Sequence, residues 1–599
     1  MPDYRAPLRD IRFVMHELLQ AERHYRNLHG CEKPTPDLLD AILQSAGKFA
    51  ENVIAPLNRS GDEQGCRYHA GRVTTPDGFR AAFAEYARGG WQALSVPTAE
   101  GGQGLPASCS TAVGELLGSA NYAWSMIGGL AQAPINLLLA AGSARQKATY
   151  LPRLLSGDWA GTMCLTEPHC GSDVGLVRTR AVRNADGSYA ISGTKIFISG
   201  GEQDITENII HTVLARIEGA PGGTAGISLF VVPKILVAED GSPGAANTLS
   251  CGAIENKMGL KGSPTCVMHF DGATGFLLGE ENGGLDIMFR LMNTARLGTA
   301  LQGVSMGEAA FQGALDYARE RLQMRSLSGP KNPAGPADPI IVHPDVRRML
   351  LTQKALTEGS RALVYWLAQL VDTSSHGPAQ EAAQAGALLS LLTPIAKAFC
   401  TETGFEVTSL GVQVFGGHGY IREHGMEQLL RDSRIAMLYE GTTGIQSLDL
   451  LGRKVMGSQG KLLAHVTGLI HRFCTTHDGH SAMAEFIEPL AALNCQWGEL
   501  TTAIGTRARR DPEEIGAASV DYTLYAGYVV LAYLWARMAR VALQALAQDD
   551  AGEAGFYRAK LTTARFYYAR LLPRATAHAR AAEAGADTLM AMPERDFWY

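Results

Sequence analysis

The feature that most limits the folds open to this chain is a double change of texture, near Leu165 and again near Gly284. Before the first change the pattern is helical. From Pro36 to Ala55 the apolar residues Leu38, Leu39, Ile42, Leu43, Ala46, Phe49 and Val53 recur at helical spacing, with Pro36 in the first turn and Pro56 expected to close the helix. After Leu165, "SYAISGTKIFISGG" alternates around β-favouring residues, "AGISLFVVPK" reads as a central strand, and "SPTCVMHFDG" adds another. A β-domain is therefore predicted from Met163 to about Gly279, with turns at Asp186-Gly187 and Pro221-Gly222-Gly223. Helical periodicity returns over Leu285–Arg321, Asp345–Asp372, Ala382–Leu410 and Gly425–Leu438, and an Ala-rich helical stretch runs from Lys461 to Ala584. A chain of 599 residues is too long for one core. The expected fold class is α+β in four domains: helical (1–160), β (161–280), helical with the candidate base (281–457), and an extra helical domain (458–599).

A net charge of -6 with no long basic run argues against nucleic-acid binding. The ten cysteines are scattered and form no CxxC pair, so no metal site is expected and a reduced, cytoplasmic compartment fits. The start, "MPDYRAPLRDIRF", lacks the apolar core of a signal peptide. Leu116 to Ala144 carries no charge, but it contains Asn121, Pro134 and paired Gly128-Gly129 and is read as a buried helix pair with a break. Tyr522 to Ala536 is apolar but short. No integral membrane segment is expected.

Four motifs carry chemistry. "MCLTEPHCGSDVG" (Met163 to Gly175) offers hydroxyls and backbone N–H groups to a polar heterocycle or phosphate, or is a plain Pro-Gly turn. In "GTKIFISGG" the alternation puts Phe197 and Ser199 on one face, which suits a flat conjugated cofactor; Phe197 as ordinary core is the alternative. "QVFGGHGY" (Gln413 to Tyr420) has paired glycines that allow close backbone approach, but neither the Walker lysine nor the dinucleotide fingerprint. In "MLYEGTTGIQ" a carboxylate, Glu440, follows an apolar run and precedes small residues. Such a group has its pKa raised and can serve as a base. A helix N-terminus capped by Gly-Thr-Thr is the other reading.

Taken in order, "TEPHCGSD", "GTKIFISGG", "ENKMGLKGSPT", "LGTALQGVSMGEAAFQGALDYARER", "QVFGGHGY" and "LYEGTTGIQ" resemble the acyl-CoA dehydrogenase family over about residues 35 to 455. The resemblance implies an N-terminal helical domain, a central β-barrel-like domain and a C-terminal four-helix bundle. It also implies FAD as cofactor, an acyl-CoA substrate, electron-transfer flavoprotein as partner, and a homodimer or homotetramer active in fatty acid β-oxidation. On this sequence the base is then Glu440, which takes the α-proton while the β-hydrogen leaves as hydride to flavin. FAD contacts fall on Thr166, Ser172, Phe197, Ser199 and Thr442, and, from a neighbouring subunit, on Arg321, Gln413, Gly416 and Gly417. Substrate contacts fall on Ser172, Asn293, Arg296 and Gly441; Arg296 as a structural ion pair is weighed equally. Phe197 stands where the family commonly has Trp, Ser199 where it has Thr, and Asn293 where relatives often have Asp.

Two departures remain. The chain continues past "GIQSLDLLGRKV", and the Pro-rich stretch Ser326–His343 exceeds the family pattern. Both resemble the long-form subgroup that includes 3-methylmercaptopropionyl-CoA dehydrogenases and broad-range bacterial fatty acyl-CoA dehydrogenases. An acyl-CoA oxidase is the rival within enzymes, and peroxide formation in air separates the two.

Overall fold

The computed structural model describes residues 3–238, 241–548 and 552–598, apart from the side chains of 289–291 and 293. The chain forms two compact units, Ser45–Ala295 and a second built from Met1–Gln44 with Arg296–Tyr599.

In the Ser45–Ala295 unit the β-type sequence folds mainly into one seven-stranded sheet: β1 Trp159–Cys164, β2 Arg180–Arg183, β3 Tyr189–Ser199, β4 Asn208–Ile217, β5 Ile227–Pro233, β6 Leu249–Ile254 and β7 Thr265–Leu277. The pairings β7–β3, β3–β2, β2–β4, β4–β5 and β5–β7 close a ring. β6 is added antiparallel to β7, and β1 lies parallel to β4 in the register Trp159↔Asn208. β4 and β5 are buried almost throughout, including polar residues such as His211, Thr212 and Ser228. Ala181, Ile191, Val213, Phe230, Met268 and Phe270 pack together as one core. Leu138, Leu151, Trp159, Ile210, Leu214 and Leu229 form another beneath the helices Tyr122–Ala141 and Ala144–Leu155. Each buried Val, Leu, Ile, Phe or Met side chain among them contributes about 1.5–3 kcal/mol by leaving water.

The apolar N-terminal stretch is a pair of helices with a break, as expected; the break falls at Asn121, while Gly128-Gly129 stay helical. Asn121 is extended, and its side chain accepts the Trp124 N–H (3.0 Å) and donates to the Ile54 carbonyl (3.2 Å). Pro56 marks where the first helical run ends, as expected. The Pro36–Phe49 helix widens into a wide turn over Ala50–Ile54, and Pro56 opens the next helix, Pro56–Gln64, where its missing N–H is harmless.

In the other unit the helices are long. Pro344–His376 and Ala379–Phe415 form a hairpin turned at Gly377-Pro378, beside Gly284–Glu320, which begins in the barrel unit. The helix Glu513–Ala547 packs on this hairpin, with Trp535 Nε1 donating to the Ala355 carbonyl (3.1 Å). Tyr122–Ala141, Ala379–Tyr420 and Glu513–Ala547 are long and apolar enough to cross a membrane by length and composition, and each places more than half of its apolar window inside the protein. The Pro-rich stretch is ordered around Asp338. This buried carboxylate accepts the N–H groups of Ser326 (2.8 Å), Lys331 (2.9 Å) and Asn332 (2.7 Å) and pairs with Arg325 (3.3 Å).

A buried network of six charged groups joins distant parts of this unit. Lys560 is bonded to Asp10 and to Glu358 (2.7 Å); Arg361 is bonded to Asp10 and to Glu308 (2.6 Å); Lys354 pairs with Glu358. Three cations face three carboxylates, so the cluster is neutral when every member is charged.

Candidate active site

The helix Met426–Arg434 tightens into a single turn, Ile435–Met437, and the chain then leaves helical geometry. Glu440 (φ 55°) and Gly441 (φ 89°) are consecutive left-handed residues. A β-carbon is tolerated there only under constraint, and the constraint is visible. Gln446 Nε2 donates to the Glu440 carbonyl (3.0 Å), and the ammonium of Lys397 donates to the Gly441 carbonyl. Thr442 caps the helix Thr443–Leu448, its hydroxyl accepting the Ile445 N–H (3.2 Å), and Thr443 Oγ1 donates to Glu402 Oε1 (2.5 Å). The capping alternative thus holds for Thr442, whereas Glu440 stands outside the helix, before its cap.

Burial raises the Glu440 pKa, and the positive charges of Lys397 and Arg296 oppose that rise without cancelling it. Burial likewise pulls the Lys397 ammonium down to about 8, against the attraction of Glu440 and Glu402. Arg296 forms the structural ion pair, its guanidinium pairing with Asp449 (3.1 Å); its charge also acts on Glu440, and its Nε is buried with no hydrogen-bond partner among the described residues. Gln446 Oε1 is buried and equally unpartnered. Glu440, Gly441, Thr442 and Arg296 therefore form one cluster, a half-buried carboxylate ringed by cations.

Arg321, Gln413, Gly416 and Gly417 form a second, exposed group. Tyr317, one helical turn before Arg321, stacks on Phe415 (4.1 Å between centroids) and its hydroxyl meets His418 Nδ1 (3.0 Å). That contact brings the end of the Gly284–Glu320 helix to the glycine turn and gives His418 a structural role. A β-carbon on Gly416 or Gly417 would meet nothing within 4 Å, so the turn is open to an incoming group.

In the barrel unit Thr166 lies against β3, its carbonyl accepting the Ile196 N–H (3.0 Å). Simple alternation along β3 is corrected. The register with β7 shifts between Ile198↔Cys266 and Lys195↔Met268, and Phe197 enters the left-handed region (φ 59°) at this bulge. Phe197 is not core: 59% of its surface is exposed, beside a half-buried Ser199. Ser172 lies on the exposed loop after Thr166, and Gly171 abuts the Thr166 methyl. The Asn293 side chain lies outside the described residues. Glu167 and Lys195, quoted in two motifs, form a buried pair instead: Lys195 Nζ bonds Glu167 Oε1 (2.8 Å) and the Leu165 carbonyl (3.0 Å). Glu167, His169 and Cys170 could hold a metal by spacing, but Glu167 is occupied by Lys195, Thr179 and Arg178, and His169 by the Leu176 carbonyl.

Sequence reasoning missed Lys397 and Gln446. The signal for Lys397 was present: it is the single charged residue between Ala382 and Thr401.

A closed barrel followed by long antiparallel helices, with a constrained carboxylate among cations, is the architecture of one flavoenzyme class. Sequence models of the acyl-CoA dehydrogenase N-terminal, middle and C-terminal domains match residues 37–158, 162–273 and 282–456, and an acetyl-CoA dehydrogenase C-terminal-like model matches 466–593. The chain belongs to the acyl-CoA dehydrogenase family; it is an FAD-dependent oxidoreductase acting on acyl-CoA. It is 42% identical to 3-methylmercaptopropionyl-CoA dehydrogenase of Ruegeria pomeroyi, over 98% of this chain and 99% of that one. It is 34% identical to the broad-specificity linear acyl-CoA dehydrogenase FadE5 of Mycobacterium tuberculosis, over 100% of both. Among solved structures, ACDH-11 of Caenorhabditis elegans in complex with C11-CoA shares the fold at a TM-score of 0.76 and 20% identity, over 94% of this chain and 91% of that one. An acyl-CoA dehydrogenase from Bacillus anthracis complexed with FAD does so at 0.74 and 22%, over 93% and 90%.

Proposed function

We propose that the enzyme takes the α-proton of an acyl-CoA thioester onto Glu440 and releases a trans-2-enoyl-CoA, with electrons passing on to electron-transfer flavoprotein in fatty acid β-oxidation. The observation that carries this is the state of Glu440: a carboxylate whose pKa burial raises, kept ionisable by two cations, in a turn that two side chains hold in the left-handed region. Such a base holds a proton near neutral pH and releases it afterwards. Among the described residues no carbonyl takes the Glu440 N–H, so it is available to the thioester oxygen, where a donor stabilises the developing enolate. Gly441, Arg296, Ser172 and Asn293 are assigned to the substrate.

FAD, when bound, supplies the acceptor for the β-hydrogen. Thr166, Ser172, Phe197, Ser199 and Thr442 would hold it, with Arg321, Gln413, Gly416 and Gly417 reaching it from a neighbouring subunit of a homodimer or homotetramer. An exposed aromatic on a left-handed bulge beside hydroxyls, and an open glycine turn, fit a flat ring and a phosphate-bearing arm. In this reading the enzyme is soluble and cytoplasmic, with domains at 1–160, 161–280, 281–457 and 458–599.

The substrate is read as a saturated acyl-CoA of medium to long chain. A second reading, 3-methylmercaptopropionyl-CoA, is favoured by the full-length similarity to the Ruegeria pomeroyi enzyme. A panel of acyl-CoAs that includes this thioester, assayed anaerobically with a dye acceptor and in air for peroxide, separates these readings from each other and from an oxidase. Glu440→Gln is expected to keep the yellow flavin and bind acyl-CoA without bleaching it; bleaching at the normal rate would rule out Glu440 as the base.

A further inference from the structure

Lys397 is fully buried on the Ala379–Phe415 helix, in a stretch otherwise free of charge. Lysine is almost never placed so without a specific partner. The partner here is the carbonyl of Gly441, the residue after the base, 44 positions downstream. The bond sits on one arm of the left-handed pair Glu440-Gly441, while Gln446 holds the other.

We propose that Lys397 is a positioning residue of the dehydrogenation: its ammonium pins the Gly441 carbonyl, fixes the left-handed turn that presents Glu440, and supplies positive charge that keeps the carboxylate ionised. The proposal rests on Glu440 being the base. Removing this carbonyl clamp frees a turn that a non-glycine residue adopts only under constraint. The same removal takes one of two cations from the carboxylate. The charged groups facing Glu440 are Lys397, from the helix Ala379–Phe415, and Arg296, from Gly284–Glu320. Behind them, Glu402 attracts Lys397 and Asp449 pairs with Arg296. Arg296 is thus partly neutralised by its own partner, and Lys397, whose direct bond is to an uncharged carbonyl, is the freer source of positive charge. With the cation gone the carboxylate protonates at higher pH, so the acid limb of the activity profile moves upward.

The test compares Lys397→Met, Lys397→Arg and Glu440→Gln in the FAD-loaded full-length enzyme. The readouts are kcat/KM against pH and the anaerobic rate of flavin bleaching by acyl-CoA. Lys397→Met is expected to lower the bleaching rate by about 10–100-fold and to move the acid limb to higher pH, while Lys397→Arg keeps the limb where the wild type has it. A limb unmoved in Lys397→Met, or moved in Lys397→Arg, overturns the proposal. Should Lys397→Met lose its flavin, the limb of Lys397→Arg still decides. Wild-type bleaching by Glu440→Gln would instead overturn the assignment of the base, whatever the Lys397 variants do.

Discussion

Lys195 Nζ lies 2.8 Å from Glu167 Oε1, and neither side chain reaches solvent. The pair fastens the segment bearing Thr166 to the strand bearing Phe197 and Ser199. Removing one partner of a buried pair costs about 3–5 kcal/mol because the other charge is stranded. Lys195→Met should therefore lower the denaturant midpoint and reduce the flavin-to-protein absorbance ratio of the purified enzyme. Adding Glu167→Gln should recover part of the stability; no recovery would show that the ion pair is not the source of the loss.

The buried network at Lys560 makes a similar prediction far from the catalytic cluster. Burial alone would raise the pKa of Asp10, but Lys560 and Arg361 outweigh it and hold that carboxyl below its usual range. Lys560→Met leaves Asp10 and Glu358 facing one another short of a cation and should destabilise this unit by about 3–5 kcal/mol, read from urea unfolding. The sign with pH follows from the depressed pKa. The stabilisation is present above the ordinary carboxyl range near 4 and is lost as acid protonates Asp10. A Lys560→Met chain as stable as the wild type would show that water already screens this site.

Asp338 predicts a pH dependence confined to one loop. Burial would raise its pKa, but three backbone N–H donors and Arg325 bring it down to about 2. The order it imposes on residues 326–343 should be complete above about pH 4 and fade as pH falls towards 2. Pepsin digestion at stepped acid pH, followed by mass spectrometry, would show cleavage in this loop only at the lower end. Asp338→Ala should open the loop at every pH; equal resistance of wild type and variant would refute the role given to this carboxylate.

Gly441→Ala tests the turn itself. At φ 89° a β-carbon is strained by about 1–2 kcal/mol, and it would also meet Gln446 Nε2, which holds the Glu440 carbonyl. The expected result is a retained flavin spectrum with a bleaching rate lowered by about 10-fold or more. An unchanged rate would mean that the turn's geometry is not needed for proton removal.

The order of helical and β segments was legible because periodicity is a local property, and it placed the barrel and the long helices well. Glu440 was singled out because six motifs in order resemble one family; its own decapeptide fitted a helix cap as well as a base. Arg296 was named through the same resemblance, but Lys397 and Gln446 were not. Lys397 reaches the turn from another helix, and nothing local to that helix says which side chain points at which turn. Phe197 was read as lying on an alternating strand, but a bulge depends on the register of a partner strand nearly seventy positions away. Glu167 and Lys195 stood in quoted motifs, and their pairing needed the fold to become visible.

The charged network also sets a timetable. Asp10 and Lys560 are separated by 550 positions. At a synthesis rate of about 5–20 residues per second, the carboxylate has left the ribosome roughly half a minute to two minutes before its cation exists. Until then the site that Asp10 will occupy holds Arg361, from the helical hairpin, and Glu308, from the helix beside it, but not the ammonium that neutralises the cluster. Until Lys560 is made the cluster sets three carboxylates against two cations, so it becomes neutral only when translation is nearly over.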